Sequence, residues 1–423
     1  MSTRPKLTIA IPSFNRSSHL RRLLASVAEN IEFAQAKDVV DVLVCDNHSA
    51  DDTPATVEEF SDRLSITYIR NDRNIGSTNN IIKCFAKSKA DYTWVIGDDD
   101  ILTTTAIRRV LEVIDDPAGD TGLIFVNSLA IKDDNDRSVV SISGKMAMDS
   151  EQVIRQLHYR LTFLSALILR NTYDTSSLGE EYSCHLPHLE LLVQSLNSYQ
   201  KHVYIKDILV RGQVDNSGEF DATYVVKRPQ PEITSIYVEE FLQSISTFTD
   251  SAATMHVVRK KLMFCYLFYR LASDNDVTVN PFTFTRLDEY YSAESYYSLV
   301  VKPLLRRLER RSVKKIMLMI AVIHRLRDGD GIKLVNRIKS QGRQVTKVRS
   351  ERHTSILVDG NVFSDVSFGE FEVWTLGSTT QGNGFANGNI AWDMDTGSVA
   401  IGKSGLYLIT WQCMYTTSLG HFG

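Results

Sequence analysis

The feature that most limits what this chain can fold into is the regular alternation of short apolar runs and amphipathic stretches over residues 7–96. Residues 7–12 form an apolar run of strand length that closes on Pro-Ser. Ser17 stands where a helix cap belongs, and Leu20, Leu23, Leu24, Val27, Ala28 and Ile31 then recur at helical spacing. Residues 39–45 read as a second strand; Asp52 or Thr53 then caps a helix with Pro54 in its first turn, where a missing N–H costs nothing. Residues 66–69 read as a third strand, 76–87 as a helix and 92–96 as a fourth strand. Strands and helices alternating through short connections predict an α/β fold, a doubly wound, mostly parallel sheet with right-handed crossovers.

In such sheets ligands gather beyond the carboxyl ends of the strands. All four predicted strands empty there into polar residues: Ser13-Phe14-Asn15-Arg16, Asp46-Asn47, residues 71–74, and Asp98-Asp99-Asp100. Three adjacent carboxylates after a buried strand repel one another, so a compensating cation is expected. Hard oxygen ligands suit Mg2+ or Mn2+, with a pyrophosphate completing the shell. Taken alone, the acidic run fits equally an acidic loop or the cap of the helix read over 104–114. Asp46 taken alone fits a turn cap, and Arg73 a solvated loop charge.

Four motifs stand in order: Ile11-Pro-Ser-Phe-Asn-Arg16, Val44-Cys-Asp-Asn-His-Ser-Ala-Asp51, Asn71-Asp-Arg-Asn-Ile-Gly76 and Trp94-Val-Ile-Gly-Asp-Asp-Asp100. Together they resemble the donor domain of family 2 glycosyltransferases, which have the Rossmann-like GT-A fold. The resemblance covers residues 5–130 and extends more weakly to 212. It implies that Pro12, Ser13, Asn15 and Arg16 line the nucleobase and ribose of a nucleotide-sugar donor. Asp46 then accepts a hydrogen bond from the base, usually uracil, and Arg73, Asn74 and Gly76 belong to a loop closing over the nucleotide. Asp98 and Asp100 match the outer members of a DxD motif, one near the ribose and one on the metal, with Asp99 open to either role. A divalent ion, Mn2+ or Mg2+, is implied as cofactor, stabilising the departing nucleoside diphosphate.

Such transferases usually invert the anomeric centre, using an Asp or Glu near a helix start to deprotonate the acceptor hydroxyl. The matching stretch here is Ser183-Cys-His-Leu-Pro-His-Leu-Glu-Leu-Leu192, which lacks the usual acid pair. His188 and Glu190 are the candidates, with Glu180-Glu181 just upstream, and a cap or surface role competes for His188.

The rest of the chain divides by style. Residues 122–130 and 203–210 read as strands, 151–160 and 187–196 as helices, and Asp133-Asp134-Asn135-Asp136 as a hairpin-like turn. The expected domains are 1–212 for the donor fold, 213–349 for a mainly helical basic appendage, and 350–423 for a short β-rich segment. Residues 301–352 hold 16 Lys/Arg against 4 Asp/Glu, a local +12 that leaves −16 for the remainder of a chain at −4. That basic stretch, 302–352, reads either as a peripheral membrane contact attracted to anionic lipid or as a solvated helix. Nucleic acid is disfavoured, because the run carries no interleaved aromatics. The segment Gly388 to Trp411 resembles part of a complement-type, TNF-like jelly roll, which implies homo-oligomer formation; an irregular β tail is the alternative.

Five scattered cysteines without paired spacing argue against a disulfide framework or zinc site. With no signal-like segment at the N-terminus and no apolar run long enough to span a bilayer, a cytoplasmic protein is expected, held at the inner membrane face if the basic stretch binds lipid. The expected acceptor is a glycan or lipid-linked sugar in surface polysaccharide synthesis. A nucleotidyltransferase would want a glycine-rich first loop, which Pro12-Ser-Phe-Asn-Arg16 is not. A non-catalytic glycan-binding or oligomerising protein with a decayed donor site is the remaining alternative.

Overall fold

The computed structural model describes residues 4–117, 119–131, 144–176, 178, 185–213, 230–273, 287–308 and 310–327, and seven strands between 345 and 412. The chain divides into two compact units, residues 1–309 and 310–423.

The first unit opens with β1 (Leu7–Ser13), α1 (Ser17–Ala34), β2 (Val40–Asp46), α2 (Thr53–Glu58), β3 (Ile66–Arg70), α3 (Ser77–Lys87) and β4 (Tyr92–Val95). β1 lies between β2 and β4 and parallel to both, with β3 parallel beyond β2. Leu7, Ile9, Ala10 and Ile11 are fully buried, as expected of a parallel strand covered on both faces. Pairing puts Ser13 level with Asp46, and Asp46 level with Arg70, so three strand ends finish on one edge. The chain steps outward from β1 to β2 to β3 and then returns to β4 on the other side of β1. Right-handed crossovers therefore place α1 and α2 on one face and α3 on the other.

The two expected caps change hands. Ser17 is inside α1 rather than capping it, and Asp52 makes no side-chain capping bond. Asp51 serves both helices: one carboxylate oxygen accepts the Ser17 N–H at 2.8 Å, and the other accepts the Thr53 N–H at 3.1 Å.

Beyond β4 come β5 (Asp100–Leu102), α4 (Ala106–Ile114), β6 (Thr121–Ile131), β7 (Lys145–Met148), α5 (Ser150–Leu157), β8 (Leu167–Arg170), α6 (His188–Ser198) and β9 (Lys201–Gln213). β8 runs antiparallel between β4 and β6, β6 is parallel to β9, and β5 and β7 are antiparallel to β9. The sheet order is β3-β2-β1-β4-β8-β6-β9-β5, parallel in its first half and mixed in its second. β5 is the unexpected element: Asp100 is its first residue and pairs with Gly212, so the acidic run feeds an edge strand instead of a free loop.

α7 (Gln230–Phe248) packs on α6, and α8 (Ala252–Lys261) packs on α5. A π-helical turn at Leu262–Leu267 leads from α8 into α9 (Phe268–Ser273). Aromatic side chains fill the core of this helical part: Phe241, Phe268 and Tyr291 are fully buried, and the Phe264 and Phe268 rings meet edge to face at 5.2 Å.

In the second unit a helix spans Arg311–Arg327, and its seven strands pair only antiparallel, in three small sheets. The strand segment lies between Val345 and Gln412. Its side chains, the turn at 133–136, the Glu180-Glu181 pair and basic residues 328–344 lie outside the described residues. Among the described residues no helix is long and apolar enough to cross a membrane.

Candidate active site

The acidic run follows the buried β4 strand through Ile96 and Gly97. Asp98 and Asp100 are buried at 4% and 5% exposure, while the Asp99 side chain is half open at 48%. Asp98 is held from the first strand's loop: Ser13 Oγ donates to Oδ2 at 2.8 Å, and Arg16 Nη1 donates to Oδ1 at 3.1 Å. The same guanidinium lies 3.5 Å from Asp99 Oδ2. Burial pushes the Asp98 carboxyl up to about 6, against the pull of Arg16 and with the push of Asp99. Asp100 has no guanidinium beside it, and burial together with the Asp99 charge raises it further, to about 7, against a hydrogen bond from Ser165.

Ser165 ties this corner together. Its hydroxyl accepts the Gly97 N–H at 2.9 Å, and its carbonyl accepts the Trp94 indole N–H at 2.9 Å. Gly97 is required by close approach: a Cβ there would meet Asp99 Oδ1 at 2.8 Å and Asp100 Oδ2 at 3.5 Å.

Three adjacent carboxyl groups that share the one Arg16 guanidinium suit a divalent cation. No group of three or more His, Cys, Asp or Glu side chains converges among the described residues. The protein thus offers a partial shell, as Mg2+ and Mn2+ sites completed by substrate phosphates do. Asp98 and Asp100 are the residues that fit such an ion.

On the neighbouring rim Asp46 is fully buried. Its Oδ1 accepts the Ser49 N–H at 2.9 Å, its Oδ2 accepts the Tyr68 hydroxyl at 2.6 Å, and Arg70 Nε stands 3.4 Å from Oδ2. Both oxygens thus accept from protein donors, and the carboxylate is fully buried, so a base could reach it only if its surroundings move. Asn15 and His48 hold left-handed backbone, φ 53° and 70°, and Asn15 Oδ1 accepts the Ala50 N–H at 2.7 Å. Left-handed conformations in non-glycine residues cluster at functional sites.

The second and third strand ends meet in an asparagine cluster. Asn47 Oδ1 accepts the Ile75 N–H at 2.9 Å and an Asn71 amide hydrogen at 3.1 Å, while Asn47 Nδ2 donates to Asn74 Oδ1 at 2.8 Å. Asn74 Oδ1 also accepts the Gly76 N–H at 2.9 Å, and Gly76 turns into α3 at φ 84°. This fixes the backbone of the 72–76 loop while leaving the Arg73 side chain exposed. Pro12 lies within β1, one residue before Ser13.

His188 and Glu190 do begin a helix, α6. His188 is sealed at 3% exposure with Nε2 3.2 Å from the Leu161 carbonyl, and burial lowers it to about 4. Neutral and enclosed, it reads as a packing residue; Glu190 is partly exposed. Sequence reading missed Ser165, Gly97, Tyr68 and Arg70. Tyr68 and Arg70 share one face of β3 with Ile66, a spacing that a reading of that face would have caught, whereas nothing in the sequence points to Ser165.

Residues 8–165 match the family described as Glycosyl transferase family 2, a stretch that contains Ser13, Arg16, Asp46, Asp98, Asp100 and Ser165. Abequosyltransferase RfbV of Salmonella typhimurium is 24% identical over 217 residues, 45% of this chain and 61% of that protein. The GalNAc(5)-diNAcBac-PP-undecaprenol beta-1,3-glucosyltransferase of Campylobacter jejuni is 26% identical over 150 residues, 35% of this chain and 45% of that protein. The chain thus matches less than two thirds of the length of either relative. Among solved structures, S. aureus TarS 1-349 in complex with UDP superposes with a TM-score of 0.52 at 17% identity, covering 85% of this chain and 96% of that one. This likeness shows the fold: the α/β sheet is of the GT-A type.

Proposed function

We propose that this protein transfers a sugar from a UDP-linked donor to a hydroxyl of a glycan or lipid-linked acceptor, inverting the anomeric centre, in surface polysaccharide synthesis. The observation that carries the reading is the buried pair Asp98 and Asp100, fixed by Ser13, Arg16 and Ser165 at the carboxyl edge of a family 2 domain. Support for the acceptor class comes from the relatives, one named for an undecaprenol-linked glycan and one for abequose transfer.

Asp98 and Asp100 would hold Mn2+ or Mg2+, which when bound supplies Lewis-acid stabilisation of the diphosphate's developing charge. Ser13, Asn15 and Arg16 bound the nucleoside pocket, and Arg16, bridging Asp98 and Asp99, keeps the acidic run from collapsing outward. Arg73 and Gly76, in the loop that the asparagine cluster holds, would close over the nucleotide. Asp46 would recognise the base once the side chains around it move. Contact with a membrane that carries the acceptor is part of this reading, supported by the exposed Leu299 and Val300 beside Lys302 at the head of the basic stretch.

The test is UDP release by the full chain from UDP-glucose, UDP-galactose and UDP-N-acetylglucosamine. Release that requires Mn2+ or Mg2+ and stops on chelation is expected. No release from any donor above the protein-free rate would contradict the proposal.

A further inference from the structure

The proposed transfer needs a group to take the acceptor's proton, and the structure assigns that role to His185, held by Glu240; this assignment rests on the donor reading above. His185 precedes α6, and Glu240 lies 55 residues later in α7. Glu240 Oε1 stands 2.8 Å from His185 Nδ1. The same carboxylate accepts the His185 N–H at 2.9 Å and the Leu186 N–H at 3.1 Å. An ionised carboxylate has no proton to give, so Nδ1 carries the hydrogen and Nε2 keeps its lone pair. No described residue hydrogen-bonds Nε2, and the imidazole retains 25% exposure beside the edge of the Tyr237 ring. A carboxylate that orients an imidazole and stabilises its charged form is the arrangement general-base histidines use. His188, one turn further on, has the opposite character, sealed and neutral.

The start of α6 is tied to the acidic run. His188 Nε2 meets the Leu161 carbonyl, and four residues later the Ser165 hydroxyl binds Gly97 and Asp100. The connecting segment is largely coiled into 3-10 turns, His158–Thr162 and Leu164–Ala166, so it covers only about 10 Å. His185 and the acidic run are thus linked through His188, Leu161 and Ser165 within the first unit.

In the step proposed, the acceptor hydroxyl gives its proton to His185 Nε2 as its oxygen lone pair forms a bond to the anomeric carbon. The bond from that carbon to the distal phosphate oxygen breaks, and its electron pair leaves with the nucleoside diphosphate. His185 touches the reacting hydroxyl and is catalytic; Glu240 acts through it as a positioning residue. The competing account is that Glu240 only caps the start of α6.

His185→Asn separates the two, since the asparagine amide can still donate to Glu240 while no base remains. The full chain is assayed with Mn2+ for UDP release from the UDP-sugar it turns over fastest, with water as acceptor, from about pH 5 to 9 across the imidazole range. UDP affinity is measured in parallel by calorimetry, and the melting temperature checks the fold. H185N is expected to lower the saturated rate on the order of 100-fold with UDP affinity unchanged, and to lose the rise in rate with pH. Glu240→Gln should lower the rate less and move that rise to lower pH. Wild-type rate, affinity and pH profile in H185N would overturn the assignment. Failure of the wild type to bind UDP would overturn the donor reading, and the assignment with it, without any comparison of rates.

Discussion

Ser13 Oγ donates to Asp98 Oδ2 at 2.8 Å, joining the end of the first strand to the acidic run 85 residues later. Both side chains are buried, so the bond is made where water cannot replace it. Ser13→Ala should leave a buried carboxyl without one of its two donors and cost about 1–3 kcal/mol. Urea unfolding at neutral pH reads this directly, and an unchanged midpoint would contradict it.

Asp100 gives the site a pH signature in metal-free protein. Its carboxyl titrates at 3.8 in an ordinary setting and at about 7 here, so between those values the folded state holds a proton the unfolded state has released. Stability from this group is therefore lost as pH rises through that window, by about 1.4 kcal/mol per unit of pH at most. Asp100→Asn cannot ionise and should be the more stable protein near pH 8, by at least about 2 kcal/mol, with the advantage gone near pH 4. Melting curves over pH with a chelator present check this; a difference that does not vary with pH would contradict it.

Gly97→Ala places a methyl 2.8 Å from Asp99 Oδ1 and 3.5 Å from Asp100 Oδ2. The carboxylates are the part that must give. Metal-dependent nucleotide binding should fall by about tenfold or more, a change of about 1.4 kcal/mol, while circular dichroism stays that of the wild type. Calorimetry showing wild-type affinity would mean the carboxylates are not the ligands.

Asp51 is a prediction about folding only. Burial raises its carboxyl, but hydrogen bonds from Thr53 and Ser17 outweigh this and hold it below its ordinary value. Asp51→Ala removes the caps of α1 and α2 together and should cost about 1–2 kcal/mol by urea unfolding. Asp52→Ala, which loses no capping bond, should cost clearly less.

The parallel half of the sheet was legible because β1, β2 and β4 are apolar runs buried on both faces and amphipathic helices separate its four strands. The second half was not. β5 has three residues and β7 four, too short for a period to show, and β8 gives only three apolar residues before Arg170, which fit helix or strand alike. Caps misled for a related reason: Ser17 and Asp52 have the right chemistry beside each helix, yet one carboxylate, Asp51, reaches both N-termini through space. In the site, residues on strand ends were found because their position follows from the topology. Ser165 and Glu240 act across long sequence separations from irregular or distant elements, and the imidazole that Glu240 holds was passed over for His188, which the fold seals.

The most direct test of the central claim is calorimetric binding of UDP to the wild type and to Asp100→Ala, each with and without Mn2+. Binding that needs Mn2+ and disappears in D100A is expected. Absence of binding by UDP and by other nucleoside diphosphates, or UDP binding indifferent both to Mn2+ and to the substitution, would contradict a metal-dependent donor site built on the acidic run.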